Sequence, residues 1–192
     1  MPTILAFDTS GPFCAVALLK DGRLTSTVEE MKKGQAECLM PLVQEMLADQ
    51  GVATQDLDAI GVGVGPGNFT GIRISVSAAR GMALGLSIPA VGVSGFEARA
   101  FGHPRPVTVA IPAPRDQFYF QTLEVDGVST PVQTDDLSGS SPLPPQTPKQ
   151  VVEHIAQIAA TSFANTTVRP APLYVRPADA APSRDVAPVI LS

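Results

Sequence analysis

Two short runs of the sequence hold groups that could do chemistry. Asp8-Thr9-Ser10-Gly11 offers a carboxylate, two hydroxyls and backbone N–H groups directly after the apolar run Ile4-Leu5-Ala6-Phe7. Such a turn can touch a phosphate or the water shell of a metal, although Asp and Ser also close turns on their own backbone. The second run, Gly65-Pro66-Gly67-Asn68-Phe69-Thr70-Gly71-Ile72-Arg73, sets glycines where a strand gives way to a helix. There an anion can approach bare backbone, the helix N-terminus adds partial positive charge, and Arg73 could fork onto a phosphate or carboxylate. The candidate nucleotide- or anion-binding residues are therefore Asp8, Thr9, Ser10, Gly65, Gly67, Thr70, Gly71 and Arg73. The spacing fits neither the dinucleotide fingerprint nor the P-loop, and a tight turn carrying a surface arginine is the plain alternative.

Other chemistries find little footing. Gly92-Val93-Ser94-Gly95 misses the nucleophile elbow by one residue. His103 and His154 have no metal-ligand spacing to either cysteine or to clustered carboxylates, and Cys14 and Cys38 lack CxxC spacing. No metal ligand and no catalytic residue is named, and a reducing cytoplasm is the expected setting.

The elements that must position these runs follow from periodicity. Residues 3–30 are expected to form a three-strand meander, Ile4–Phe7, Phe13–Leu19 and Leu24–Val28, with Asp21-Gly22 as a two-residue hairpin turn. Ala36, Leu39, Met40, Val43, Met46 and Leu47 share one face of a helix over residues 35–50, with Pro41 either starting or kinking it. Ala59–Val64 is an apolar strand, and a helix over about 71–86 follows with Thr70 as N-cap. Ser75, Ser77, Ala78, Ala79, Gly81, Ala83 and Gly85 make that helix small-sided, so another helix can come close, inside the fold or across a subunit contact. Strands at 89–93, 107–111 and 117–125, a short helix from Gly95 and a helix over 151–163 complete the expectation. Residues 138–148, with four prolines and three serines, are expected as an exposed loop. The Pro/Ala-rich stretch from Arg169 onward is expected to be partly unfolded.

Asp126-Gly127 echoes Asp21-Gly22. Laying one turn on the other carries the flanking strands along without a gap, and puts Ala113 where Asp8 stands and Pro114 where Thr9 stands.

Apolar residues make up 44% of the 192 and charged residues 16%, a globular balance. No run of about 18 apolar residues is present to span a membrane. The opening Met1-Pro2-Thr3-Ile4 has no basic region of a secretory signal. The formal net charge of −5 argues against a nucleic-acid binder, which needs a basic footprint.

Taken together, Ile4 to Ser10, the Asp21-Gly22 hairpin and Gly65 to Arg73 resemble the TsaB (YeaZ) family. Gly92-Val93-Ser94, Arg115 to Tyr119 and Pro172-Leu173-Tyr174-Val175-Arg176 extend the match, which is dense over residues 3–100 and patchy beyond. The resemblance implies an α/β actin-like ATPase, ribonuclease H-like (ASKHA) fold of two lobes. Here these would be residues 1–100 and a shortened second lobe, 101–192, with its Pro/Ala-rich tail. It also implies a non-catalytic part in threonylcarbamoylation of adenosine 37 of tRNA, acting by dimerising with and activating the TsaD transferase, with the TsaE ATPase as third component. Further implications are a homodimer when alone, tRNA met only through the complex, no membrane, and ATP or ADP at most at the interface with the partner. The expected contact surface is helices 35–50 and 71–86, through Leu39, Met40, Val43, Met46, Ser75, Ala78, Ala79 and Met82. Working members of the fold use a carboxylate from each lobe, whereas this sequence offers Asp8 and Ala113. The contrasting expectation is an independent ASKHA-type nucleotide phosphotransferase or hydrolase working from Asp8 and the 65–73 turn.

Overall fold

The computed structural model describes residues 1–175. Its first sheet begins as the sequence suggests. Strand β1 (Ile4–Asp8) pairs antiparallel with β2 (Phe13–Lys20), which pairs with β3 (Arg23–Glu30). Between β2 and β3, Asp21 and Gly22 take φ values of 51° and 77°, the doubly left-handed turn that two-residue hairpins favour. Helix α1 (Gln35–Asp49) then leads to β4 (Ala59–Gly63), helix α2 (Phe69–Leu86), β5 (Ala90–Val93) and the short α3 (Gly95–Ala100). β4 and β5 join in parallel, giving the order β3-β2-β1-β4-β5 with β1 at the centre.

Alternation along β1 decides what covers each face of this sheet. Leu5 and Phe7, with Val16, Ile60 and Val62, face α1 and α2 in one core. Pro41 lies inside α1, and the helix runs through it, held by Leu39, Leu42, Val43, Met46 and Leu47 against the sheet. Five of the residues expected at a subunit contact are in this core instead. Leu39, Val43, Met46, Ser75 and Ala79 are buried within their own chain, and Ala78 and Met82 are half-buried against the same cluster. Of the eight, Met40 alone is exposed. An apolar stripe of helical period marks a buried face without saying whose surface buries it.

On the opposite face, Ile4, Ala6, Ala15, Ala17 and Ala59 pack against helix α4 (Pro148–Ser162), through Val151, Val152, Ile155, Ala156 and Ala159. Small sheet residues let α4 come close: a Cβ on Gly61 would lie 3.0 Å from that of Ala159. A helix from beyond residue 100 therefore completes the core of the first sheet.

The second sheet is small. β6 (Val107–Ala113) and β7 (Gln117–Glu124) form a hairpin, and the short β8 (Gly127–Val128) and β9 (Val132–Thr134) both pair with β7. The turn after β7 is Val125-Asp126, one residue earlier than expected, because Glu124 pairs with Gly127 and Leu123 with Val128. Burial of Leu123 fixes this register. The hairpin before it is also one residue shorter than its counterpart: residues 114–116 join β6 to β7, whereas residues 9–12 join β1 to β2. The gapless repeat therefore fails, while Ala113 still ends β6 as Asp8 ends β1.

Val109, Ile111 and Leu123 pack on Phe96 and Ala100 of α3, joined by Leu143 and Leu173. The loop 138–148 is thus anchored rather than free: Leu143 N–H donates to Thr108 O at 2.9 Å, and Gln146 Nε2 to Arg99 O at 2.7 Å.

Candidate functional site

Asp8 closes β1 at the centre of the sheet and is 4% exposed. Its carboxylate is taken up by its own turn: Ser10 N–H donates to Oδ1 at 2.8 Å and Ser10 Oγ to Oδ2 at 3.0 Å. Burial pushes the carboxyl above its ordinary value of 3.8, against the opposing pull of the Ser10 hydrogen bonds and of the Arg99 charge. Arg99 is the cation of this site, and no motif in the chain points to it. Burial lowers its guanidinium, which the charge of Asp8 counters. The two act through space, since the one ion pair among the described residues is Lys149–Glu153. Arg99 Nη1 instead donates to Gly95 O at 3.0 Å.

The turn after β1 and the glycine-rich loop meet, so six of the eight candidate residues do come together. Thr9 Oγ1 donates to Gly71 O at 2.7 Å, and Asn68 N–H to Ser10 O at 2.6 Å. This contact uses up the glycines. A Cβ at Gly67 would collide with Ser10 O, and one at Gly71 with Thr9 O. At Gly65, with φ of 96°, a Cβ would lie 2.6 Å from Ile72 Cδ1. The bare backbone expected to receive a phosphate thus receives two carbonyl oxygens of the same chain, which repel anions. These residues do not by themselves form a phosphate cradle.

Two candidates stand apart. The N-cap of α2 is Asn68, whose Oδ1 accepts from Gly71 N–H at 2.8 Å, and Thr70 is exposed inside the first turn. Asn outranks Thr as a cap. Arg73 turns away to the surface, with its guanidinium 3.7 Å above the Phe69 ring and Nε donating to Tyr174 OH at 2.8 Å. The Phe69 and Tyr174 rings lie 5.1 Å apart. Tyr174 belongs to a segment strapped across the glycine-rich loop, with Leu173 N–H donating to Val64 O at 2.8 Å, so residues 170–175 are held in place. The rest of the expected unfolded tail lies outside the described residues.

In the second sheet, Ala113 supplies no carboxylate at the end of β6, and Asp116 sits exposed on the hairpin beyond it. Among the described residues no three potential metal ligands cluster, and no helix is long and apolar enough to cross a membrane. Cys14 is buried near Cys38, and burial first and then that neighbour push its thiol up to about 12.

A five-stranded sheet with β1 at its centre, an acidic turn after β1, a second meander and a helix returning to the first sheet define the actin-like ATPase (ASKHA) fold. Residues 28–172 match the family model described as TsaD, tRNA N6-adenosine threonylcarbamoyltransferase. The chain belongs to this family, and within it to the TsaB (YeaZ) group. It is 39% identical over 99 residues to the tRNA threonylcarbamoyladenosine biosynthesis protein TsaB of Escherichia coli K12, covering 52% of this chain and 43% of that one. Its identity to TsaB of Haemophilus influenzae is 35% over 123 residues, covering 62% and 52%. The solved structure of YeaZ from Pseudomonas aeruginosa superposes with a TM-score of 0.72 at 28% identity, covering 91% of this chain and all of that one. The matched part of the chain spans about half the length of these two curated relatives.

Proposed function

We propose that this chain takes part in threonylcarbamoylation of adenosine 37 of tRNA as a non-catalytic subunit that pairs with the TsaD transferase and keeps it active. The carrying observation is the mismatch of strand ends: Asp8 closes β1, whereas Ala113 closes β6. A metal-bound nucleotide held between two lobes needs charge from both to stabilise a transferring phosphoryl group. The remaining carboxylate is turned inward to Ser10, and the glycine-rich loop is filled by the chain's own carbonyls. The names of the relatives support the pathway.

The contact with TsaD runs over the outward faces of α1 and α2, with Met40 on α1 and Gly81 and Leu84 on α2; Leu84 is 78% exposed. TsaE joins the pair, tRNA reaches this chain through the complex, and any ATP or ADP sits at the shared surface. Reconstituted tRNA modification with and without this chain tests the function, and equal yields would end it. Gly81→Arg tests the surface, because a Cβ there meets nothing within 4 Å and the fold is spared. Ala79→Arg would not, since Ala79 is fully buried. Calorimetry with ATP and magnesium on the isolated chain separates this role from an independent phosphotransferase. Tight binding with turnover lost in Asp8→Asn would favour the enzyme.

A further inference from the structure

Acidic residues are missing from two long stretches of the chain. Although the sequence has 18 of them, none occurs between Asp58 and Glu97 or between Glu153 and Asp179. The fold brings parts of these stretches together. Between the C-terminal end of α2 and residues 166–170 runs a groove of about 440 Å³, within the range of small-molecule clefts, about 300–1,000 Å³. The groove is open because its α2 wall is short-sided: a Cβ at Gly81 would meet nothing within 4 Å. Arg80 and Arg169 line it together with the hydroxyl-bearing Ser87 and Thr167, and no carboxylate does. Neither arginine has an ion pair among the described residues. Leu84 and Val168, in the same lining, are each 78% exposed. The negative end of α2 is blunted, since Ser87 N–H donates to Leu84 O at 3.4 Å and Ile88 N–H to Ala83 O at 3.1 Å. A second hollow of about 450 Å³ shares residues 166–170 but reaches Val64 and Gly92 instead of Arg80, so the first alone offers two cations.

We propose that this groove binds a small amphipathic organic anion, with its acidic head on Arg80 and Arg169 and its aliphatic body on Leu84 and Val168. A guanidinium forks onto a carboxylate or a phosphate through two parallel hydrogen bonds, and neighbouring hydroxyls can donate to the oxygens left over. Both halves of the ligand are needed. An inorganic anion would leave the two aliphatic side chains in water, and an uncharged lipid would leave the two arginines unpaired. A nucleic-acid strand would set sugar and phosphate against Leu84 and Val168, which disfavours it as the occupant. Both arginines are exposed, so their attraction for the head group is screened by salt. The site lies apart from Asp8 and the glycine-rich loop, and it goes beyond the proposed subunit role without depending on it. Because Gly81 and Leu84 also belong to the surface proposed for TsaD, binding is read on the isolated chain.

The test is isothermal titration of the whole chain with octanoate, monooctyl phosphate, octanol and inorganic phosphate, with circular dichroism confirming the fold of each variant. Saturable binding of octanoate or monooctyl phosphate is expected, roughly tenfold or more tighter than that of octanol or inorganic phosphate, and weaker as salt rises. The tighter of the two names the head group. R80E/R169E is expected to weaken that binding roughly tenfold or more, and Gly81→Leu, which fills the groove from α2, to abolish it. Octanol binding as tightly as octanoate, or binding unchanged in both variants, overturns the proposal. So does a wild type that binds neither amphiphile. If the amphiphiles fail while phosphatidylglycerol vesicles or tRNA bind and R80E/R169E releases them, the groove serves a lipid surface or a nucleic acid instead. The readout involves no tRNA modification and no TsaD, so failure here leaves the subunit role standing, and failure of that role leaves this site standing.

Discussion

The hydroxyl of Thr9 donates to the carbonyl oxygen of Gly71 across 2.7 Å, and both residues are buried. That bond stitches the turn after β1 to the first turn of α2. It puts backbone against backbone at a point where no side chain fits.

Gly71→Ala is therefore expected to be among the most damaging small changes in the chain. Its Cβ would meet Thr9 O, and neither backbone can yield without moving β1 or α2. A loss of about 3 kcal/mol or more is expected, read from urea midpoints. The control is Gly81→Ala in the same helix, where nothing lies within 4 Å of the new Cβ. It should gain about 0.5–1 kcal/mol from helix propensity alone.

Asp8 carries a pH signature. Its folded-state pKa is raised, chiefly by burial, so the folded chain holds the proton more tightly than the unfolded chain. Its contribution to stability is full below the ordinary value of 3.8 and is lost as pH rises through the raised native value. Asp8→Asn keeps an acceptor for Ser10 N–H and removes the titration. The difference between wild-type and variant denaturant midpoints should thus shift with pH in the variant's favour, then level off. A difference that stays flat would mean the carboxyl is not desolvated as described.

Arg73, Phe69 and Tyr174 form a stacked surface cluster. A double-mutant cycle with Arg73→Ala and Tyr174→Ala should give a coupling of about 0.5–1 kcal/mol, the modest size expected for an exposed cation–π contact. The same variants should make residues 170–175 more open to hydrogen exchange, because Arg73 holds Tyr174 over the glycine-rich loop. A coupling near zero would show that Leu173 alone anchors the segment.

Helix α4 is expected to be required for the first sheet. A fragment of residues 1–104 would leave Ile4, Ala6, Ala15 and Ala17 uncovered on one face, and should stay unfolded by circular dichroism. In the whole chain, Ile155→Ala removes a fully buried side chain and should cost about 2–4 kcal/mol. Folding of the fragment by itself would refute the shared core.

Much of the first sheet was legible because local rules decide it. Asp21-Gly22 demanded a hairpin, a short apolar run marked β1, and the glycine run marked the entry to α2. The second turn was misplaced because the Asp-Gly signal yielded to burial of Leu123, a tertiary effect. At the site, the sequence marked Asp8, Ser10 and the glycines but not what they would face: the carbonyls that fill Gly67 and Gly71 come from more than fifty residues away. Arg99 gave no local signal at all, since its role arises only where α3 passes near the end of β1. A helix over residues 151–163 was expected, but nothing in it named the sheet it covers.

That arrangement has a consequence for synthesis. On a translating ribosome the strands of the central sheet emerge early, yet their apolar side chains lack a cover until the segment around Ile155 leaves the exit tunnel. Until then the nascent protein presents an oily surface of the kind chaperones recognise. A pause late in the message would prolong that exposure, while a pause before the first strands would not.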